Sequence, residues 1–557
     1  VTATKQDGLW AAIAMADHSA DRMLTSANCA AIHAQSLSLH ERIALQRRSG
    51  MQFQPDGRAD ALLAQWRVLV AAGDIDRFER RLSWDGYSSR QVLNLLGIPK
   101  LSVDLPEPRW LPMLADATRL AHRIQASQGL PSLEFLAQGA RIPFAHLLVP
   151  FVLLASERVR QRIARHWSRI PDAAQAALQC HLLVDLSRVA APALLESFDR
   201  LRFSRTTGND IAITRMAETP PNLLYTEFVR QHLASALVPF LTEHAVVGRL
   251  LATRALFWVD SVIELLVRLS LDHRDIQDYI FCGRSIGPLA GIRLGLGDSH
   301  NHGRTVALLW FANGDACVYK PRSVDGEETL TKTVDWMNRK GLEPRLRKLK
   351  VLSRRGYGWM EATVPNPCTS SDELHAYHLR CGSLLALVHL LQGSDCHYEN
   401  VIASGPYPYL VDCETILAPQ LQDIHDPDDT AAHVASVTRL ATSVLQTGFL
   451  PDWTIDPRGL ARDNSGFGSS RVHDQSDGSI WKHVNTDLMR IAPSSRDGRR
   501  SDSGAAQSSG CQTCIEDYEV EVIAGYCAAY GIMQGYGGCS DEHDVPLANI
   551  DEAVVRV

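Results

Sequence analysis

The sequence predicts an α+β protein in which a large all-helical N-terminal region precedes a smaller mixed core. Three observations carry that reading. Up to about residue 285, apolar residues recur every three or four positions, the period of a helix with one buried face. Near Gly295 the period shortens, and Asn313–Gly314, a strong two-residue hairpin signal, separates two short apolar runs. Beyond about residue 420 the pattern loosens, and Ser494 to Gly510 is rich in Ser, Arg, Gly and Asp, the composition of a mobile loop. The expected domains are a helical region over 1–285, a catalytic core over 286–420 and a C-terminal region over 421–557.

Bulk properties narrow the function classes. The 557 residues are 45% hydrophobic and 21% charged, which excludes disorder as the dominant state. The 56 basic and 63 acidic side chains leave a net charge of −7, which argues against a general nucleic-acid binder. The most apolar stretch, Ile142 to Ala155, carries Pro143, His146 and Pro150 and falls short of the roughly 20 residues of a membrane span. It reads as a buried helix pair. Val1 to Trp10 lacks the apolar segment of a signal peptide, and there is no initiator Met. Twelve cysteines are scattered along a chain that needs no disulfides to hold a core, which points to a reducing cytoplasm. Cys511 and Cys514 have the spacing of half a zinc knuckle, but Cys527 and Cys539 do not form the second close pair, so free thiols are expected.

In the helical half, Leu251, Ala255, Trp258, Val262, Leu266 and Leu269 define one buried face, with Arg254, Asp260, Glu264 and Arg268 between them. Breaks are expected at Pro106–Pro108, Gly129–Pro131 and Pro220–Pro221. Then Val306 to Phe311 reads as a strand and Ala316 to Tyr319 as its return. Helices are expected at about Glu327 to Arg339 and Asp372 to Leu391. Ser370 and Glu373 form a capping box for the second of these, and Gly393 sits at its C-terminal stop. Two short strands, Asn400 to Ala403 and Tyr409 to Asp412, are joined by Gly405–Pro406. A last helix at about Ile515 to Ile532 ends before the glycine run Gly535 to Gly538.

The chemistry is concentrated in Gly393-Ser-Asp395-Cys-His397-Tyr-Glu399-Asn400 and Val411-Asp412-Cys-Glu414. Asp395 and Asn400 have the D-x-x-x-x-N spacing of a protein-kinase catalytic loop, and a hairpin then delivers Asp412 at a strand end. Phosphoryl transfer needs one carboxylate to orient an attacking hydroxyl and take its proton. It also needs hard oxygen ligands, such as a carboxylate and an amide, to hold magnesium on the phosphates. Lys320, ending the return strand in Val318-Tyr-Lys320-Pro-Arg322, has the reach to meet phosphates as a point charge. Each piece alone is commonplace, and a strand-end lysine is usually solvated. In kinase order along the chain they point to a nucleotide-dependent transferase. His397 is either a structural group beside two acids or a residue that orients Asp395 or positions phosphate. Glu414 is either a second magnesium ligand or a salt-bridge partner.

A second group is Gly295-Leu-Gly297-Asp298-Ser-His300-Asn-His302-Gly303-Arg304. Glycine-rich backbone beside a hairpin allows close approach to phosphate. Asp298 and His300 alternate, so an extended segment would turn both to one side as an acid/base pair. The pattern alone favours the plainer reading of a capped turn with a surface histidine. A mononuclear metal site at Asp298, His300 and His302 is a third option.

Taken together, Gly297-Asp298-Ser-His300 with Gly303-Arg304, Val318-Tyr-Lys320-Pro-Arg322-Ser, Asp395-Cys-His397-Tyr-Glu399-Asn400 and Leu410-Val-Asp412-Cys-Glu414-Thr resemble the dehydratase domain of class II lanthipeptide synthetases (LanM-type). The helical half looks similar as well, at Ile142-Pro-Phe144 to Pro150-Phe151 and from Tyr225 to Arg268, so the resemblance covers nearly the whole chain. It implies a lipid-kinase-like, two-lobed catalytic core with helical additions. It implies ATP- and magnesium-dependent phosphorylation of Ser and Thr in a ribosomally made precursor peptide carrying a leader. Elimination of phosphate to dehydroalanine or dehydrobutyrine then follows. By the family's motifs, Lys320, Asp395, His397, Asn400, Asp412 and Glu414 belong to phosphorylation, with Asn400, Asp412 and Glu414 as metal ligands. Asp298 and His300 belong to elimination, and Gly303 and Arg304 to the nucleotide-binding set.

The family also has an elimination Arg followed a few residues later by a Thr. Arg556 looks like that Arg, and this chain ends one residue beyond it. The 421–557 region is therefore expected to be a truncated activation and elimination region, with the family's cyclase domain and its zinc ligands outside this chain. Two other readings compete: a peptide or small-molecule kinase without elimination, and an inactive peptide-binding scaffold.

Overall fold

The computed structural model describes residues 26–99, 106–128, 130, 133, 141–205, 221–417, 430–455, 461–467, 479–493, 507–508, 511–512 and 515–536. The chain divides into two compact units. The first takes in Val1–Glu264, Asn301–Gly303 and Trp481–Ile491, and the second Leu265–His300, Arg304–Ile480 and Ala492–Val557.

The first unit is helical, as its apolar period predicts. Its early helices start on strong caps. Ser38 and Glu41 form a reciprocal capping box ahead of Leu39–Ser49, and Ser88 and Gln91 do the same ahead of Ser89–Leu96. A two-residue antiparallel pairing of Phe53–Gln54 with Ile98–Pro99 ties this end together and has no signature in the sequence. The expected helix pair over Ile142 to Ala155 is instead one helix, Ala145–Arg162, with Pro150 inside it. A proline in a helix interior costs about 3 kcal/mol. Here Leu147, Leu148, Val149, Phe151, Val152 and Leu153 are all buried. At about 1.5–3 kcal/mol for each large side chain, burial outweighs the break.

Asp172–Arg205 packs on this helix, with Gln179 donating to Ser156 Oγ at 3.0 Å. It is long and apolar enough to cross a membrane by length and composition, and half of its most apolar window is buried in the unit. Phe144, Phe198, Tyr225 and Phe228 gather beside it, with ring centroids 5.2–6.4 Å apart. A distant segment closes the unit. Asn485 accepts from the Phe144 amide at 2.9 Å and donates to the Ile142 carbonyl at 3.0 Å, while the Asp487 carboxylate accepts from the Tyr225 amide at 2.8 Å.

The helix Ala245–Asp275 carries the predicted face: Leu251, Ala255, Trp258, Val262, Leu266 and Leu269 are all buried. The second unit then builds a five-stranded sheet from β1 (Leu289–Leu294), β2 (Ala307–Phe311), β3 (Ala316–Lys320), β4 (Val351–Arg354) and β5 (Tyr357–Glu361). The spatial order is β1-β2-β3-β5-β4, and every neighbouring pair is antiparallel. Of these, β1, β4 and β5 were not anticipated. The β4–β5 turn is marked by Gly356 at φ +79°. The β2–β3 connection differs from the two-residue hairpin expected at Asn313–Gly314. Phe311 N donates to Asp315 O and Gly314 N to Phe311 O, both at 2.9 Å, and only Gly314 has positive φ. That is a three-residue loop with glycine at the left-handed position.

Helix α1 (Asp325–Arg339) leaves β3 and returns to β4. Helix α2 (Ser371–Leu390) follows β5, and the hairpin β6 (Val401–Ser404) and β7 (Tyr407–Leu410) follows α2. The α2 capping box is displaced by one residue. Ser370 accepts from Glu373 N at 3.2 Å, but the Glu373 carboxylate takes the amide of Thr369 at 2.6 Å. The left-handed residue after α2 is Gln392, at φ +52°, and not Gly393. The last helix, α3 (Glu519–Tyr536), runs through Gly535 and so past the expected end at Ile532. It crosses α2 at two glycines: a Cβ on Gly382 would lie 1.9 Å from Val522 O, and one on Gly525 would lie 1.8 Å from Leu379 O. The core under the site joins Val334 and Met337 of α1 to Leu384, Leu387 and Val388 of α2, with Val401, Leu410, Phe449 and Phe467.

Candidate functional site

The site grows from the end of β3. Lys320 is 3% exposed, so it is not the solvated strand-end lysine of the plain reading. Its Nζ donates to Glu327 Oε1 at 2.7 Å and to the Val411 carbonyl at 2.6 Å, and lies 3.9 Å from Asp412 Oδ1. Glu327 lies in the first turn of α1, which the Lys320–Asp325 connection folds back against its own strand. Nothing in its local spacing singles it out. Burial pushes its carboxyl up, but the charges of Lys320 and Arg322 outweigh that and hold it at about 2.

Arg322, two residues after Lys320, gathers the remaining acids. Its guanidinium meets Asp412 Oδ1, reaches Glu327 Oε1 at 2.8 Å and lies 3.3 Å from Glu414 Oε2. Burial works to lower Arg322, but Glu327, Asp412 and Glu414 together raise it above its usual value. Glu414 is thus a salt-bridge partner of Arg322 in this state, one of the two roles its position allowed. Its amide also donates to Asp412 Oδ1 at 3.3 Å.

The Asp395–Asn400 loop leaves the end of α2. Asp395 stands at φ +62°, an uncommon left-handed position for a non-glycine residue and one that clusters at functional sites. Cys396 is buried and its amide donates to Thr447 O at 2.9 Å, which pins the loop to the core. Asn400 Nδ2 donates to the Asp395 carbonyl at 2.8 Å, which leaves the amide oxygen of Asn400 as the acceptor end. His397 Nδ1 accepts from the Glu399 amide at 3.2 Å, and its Nε2 lies 3.3 Å from Asn400 Nδ2 and 3.7 Å from Asp395 Oδ1. That last distance orients the His397 and Asp395 side chains toward one another without a full hydrogen bond.

One path joins the distant pieces. Lys320 Nζ donates to Val411 O, Val411 N donates to Asn400 O at 2.9 Å, and Asn400 Nδ2 donates to Asp395 O. Lys320, Asp395, His397, Asn400, Asp412 and Glu414 therefore belong to one connected set within the second unit. Among the described residues, no three His, Cys, Asp or Glu side chains group as a self-sufficient metal site. The donor set of Asp412, Glu414 and the Asn400 amide oxygen nevertheless suits magnesium, which commonly takes one or two carboxylates and completes its shell with water and substrate phosphate. Burial pushes the Cys396 and Cys413 thiols up, which keeps them protonated as core groups.

Asp298, His300, Gly303 and Arg304 lie on the β1–β2 loop, where Asp298 and His300 are exposed. His300 and Arg304 exchange backbone hydrogen bonds at 2.9 Å in each direction, around Asn301, His302 and Gly303, all at positive φ. A glycine at the last of these relieves a strain that its two neighbours bear. The tight turn therefore spans His300 to Arg304, and Asp298 lies on the chain just ahead of it. Arg556 lies outside the described residues, as do most of Ser494–Gly510, Cys514, Cys539 and the Cys511 side chain. Cys527 is an exposed free thiol on α3, within the stretch where the last helix was expected.

Residues 244–557 match the family described as Domain of unknown function (DUF4135). The chain is also 26% identical over 168 residues to the lacticin 481/lactococcin biosynthesis protein LcnDR2 of Lactococcus lactis subsp. lactis. That alignment takes in 29% of this chain and 18% of the relative's length. With more than half of its length inside the family match, the chain belongs to the DUF4135 family, the domain of LanM-type lantibiotic synthetases.

Proposed function

We propose that this chain phosphorylates Ser and Thr side chains of a lanthipeptide precursor with ATP and magnesium, and then eliminates phosphate to leave dehydroalanine or dehydrobutyrine. The observation that carries the first step is the buried Lys320 ammonium, held by Glu327 and the Val411 carbonyl and 3.9 Å from Asp412. A strand lysine paired with a helix glutamate, ahead of an Asp-x-x-x-x-Asn loop and an Asp two residues past a strand that ends at Leu410 rather than at its expected end, is close to the arrangement by which kinases position a triphosphate. It supports a lipid-kinase-like, two-lobed reading of the 286–420 core, with 421–557 as the activation and elimination region. The printed name of the LcnDR2 relative supports a precursor peptide as the substrate.

Each residue has a definite task in this reading. Lys320 meets the phosphates as a fixed positive charge, prepaid by its pairing with Glu327. Asp395 accepts the proton of the attacking hydroxyl, and its left-handed backbone aims the carboxylate away from the packed loop. His397 orients Asp395. Asp412, Glu414 and the Asn400 amide oxygen would hold magnesium, which when bound neutralises the charge that develops on the transferred phosphoryl group. Asp298 and His300 serve elimination as acid and base, with Arg556 as a cation for the leaving phosphate, while Gly303 and Arg304 serve nucleotide binding, Gly303 by allowing close approach of the backbone.

The test is mass spectrometry of a Ser-, Thr- and Cys-rich peptide encoded beside this gene, incubated with the chain, ATP and magnesium. Loss of about 18 Da per site supports dehydration. A stable gain of about 80 Da per site would reduce the function to a kinase without elimination. Binding of the peptide with no turnover of ATP would leave only a scaffold and sink the proposal.

A further inference from the structure

The Asp395–Asn400 loop is held from behind by two short stretches far along the chain. On one side, Thr447 O accepts from Cys396 N at 2.9 Å. On the other, Asn464 O accepts from Tyr398 N at 3.2 Å, and Ser465 pairs with His397 as an isolated antiparallel bridge. Gly466 sits so close that a Cβ there would lie 2.3 Å from Cys396 O. The two supports are also tied to each other. Gly466 N donates to Gly448 O and Phe467 N to Phe449 O, both at 2.9 Å, and the Phe449 and Phe467 rings stack at 4.3 Å.

The outer support depends on one carboxylate. Asp463 is 2% exposed and closes the hairpin of Trp453–Ile455 with Ala461–Asp463. Its Oδ1 accepts from the amides of both Asp452, at 3.1 Å, and Ser465, at 3.0 Å. The second bond fixes the residue that pairs with His397. Asp463 Oδ2 and Ser465 Oγ, both buried, find no hydrogen-bond partner among the described residues. A buried carboxylate is costly unless hydrogen bonds compensate it, and those of Asp463 go to the two backbone amides. Oδ1 alone does the holding.

We propose that Asp463 is a positioning residue for the catalytic loop: through the Ser465 amide it sets the strand that fixes His397 and the left-handed Asp395. It touches neither nucleotide nor peptide. Its consequence for turnover rests on the phosphoryl-transfer reading above, but its effect on the loop does not.

The test compares Asp463→Ala, Asp463→Asn and Gly466→Ala in the full chain by two readouts. The first is amide hydrogen exchange. Asp463→Ala is expected to speed exchange in a peptide spanning residues 395–400, with no change in one spanning β2 and β3. The second is phosphate transfer from MgATP to the peptide encoded beside the gene. Asp463→Ala is expected to lower kcat by about 100-fold, the scale of a loop displaced by about 1 Å, while KM for MgATP stays within about threefold. Asp463→Asn keeps an acceptor oxygen and is expected to restore slow exchange and most of kcat. Gly466→Ala pushes on Cys396 O and is expected to reproduce the kcat loss even if Asp463→Ala does not fold. Unchanged exchange in Asp463→Ala, or a kcat loss in Asp463→Asn as large as in Asp463→Ala, would overturn the proposal. A wild-type chain that transfers no phosphate would sink the kinase reading instead, and exchange would still decide the role of Asp463.

Discussion

Lys320 and Glu327 meet as a buried ion pair, Nζ to Oε1 at 2.7 Å, with side chains only 4% and 1% exposed. Seven residues of chain separate them, yet they close the junction of β3 and α1 and present the lysine to Val411 and Asp412. Pairing in a dry place is stable only because further groups share the load: Arg322 also reaches Glu327 at 2.8 Å.

Glu327→Gln removes the anion and leaves a buried ammonium beside a half-buried guanidinium. Breaking such a pair costs about 3–5 kcal/mol, to be read from urea unfolding. The sign of its pH dependence follows from the depressed carboxyl. Glu327 sits at about 2 when folded against an ordinary 4.5, so its stabilisation is complete above about pH 4.5 and drains away as pH falls toward 2. The gap in stability between wild type and Glu327→Gln is therefore flat near neutrality and narrows in acid. A gap that widened on acidification would refute this account.

The α2–α3 crossing tests packing without touching the site. Gly382→Ala or Gly525→Ala puts a methyl under 2 Å from a carbonyl oxygen of the facing helix, so the helices must separate. Overpacking of this kind costs about 1–3 kcal/mol, occasionally more. The thermal midpoint is expected to fall for each variant, whereas Gly531→Ala, with nothing within 4 Å of its Cβ, leaves it in place or raises it.

Asp272 is a second buried hub, at the end of the long helix that leads into the sheet. Its carboxylate accepts from Arg354 Nε and Trp359 Nε1 at 2.9 Å and from Tyr357 OH at 2.8 Å. Asp272→Ala strands an indole N–H of the fully buried Trp359 and an arginine at once, an expected loss of about 3–5 kcal/mol in unfolding experiments. Asp272→Asn keeps an acceptor and is expected to lose clearly less. Equal losses for the two variants would mean that the hydrogen bonds to Trp359 and Tyr357 contribute little.

These residues also show what could be read without coordinates. Helical and strand periods are local, so the long buried face through Trp258, the β2–β3 pair and α1 were legible. So was the spacing that joins Asp395 to Asn400. Glu327 was not, because a buried partner seven residues from its lysine follows no period and looks like any acid in a first helical turn. Asp463 and Asp487 were hidden for a related reason: each bonds backbone amides whose location depends on the folded chain. Pro150 misled because local propensity marks a break there, while the packing that overrides it is tertiary. Gly314 alone shaped the turn assigned to Asn313–Gly314, since the Asn313 side chain bonds Asp315 and keeps its own backbone out of the left-handed region.

The two proposed half-reactions separate by mutation. Asp412 sits in the Lys320–Arg322–Glu414 network, so Asp412→Asn removes the anion that would carry magnesium and is expected to stop phosphorylation, with neither a gain nor a loss of peptide mass. His300 lies on the exposed β1–β2 turn. His300→Ala is therefore expected to leave phosphorylation intact and let phosphopeptide accumulate at about +80 Da per site. The order can be checked by combining them: Asp412→Asn with His300→Ala must behave as Asp412→Asn alone, because no phosphopeptide forms for His300 to act on. Dehydration undiminished in His300→Ala would remove this histidine from the elimination step, and phosphopeptide in the double variant would remove Asp412 from phosphorylation.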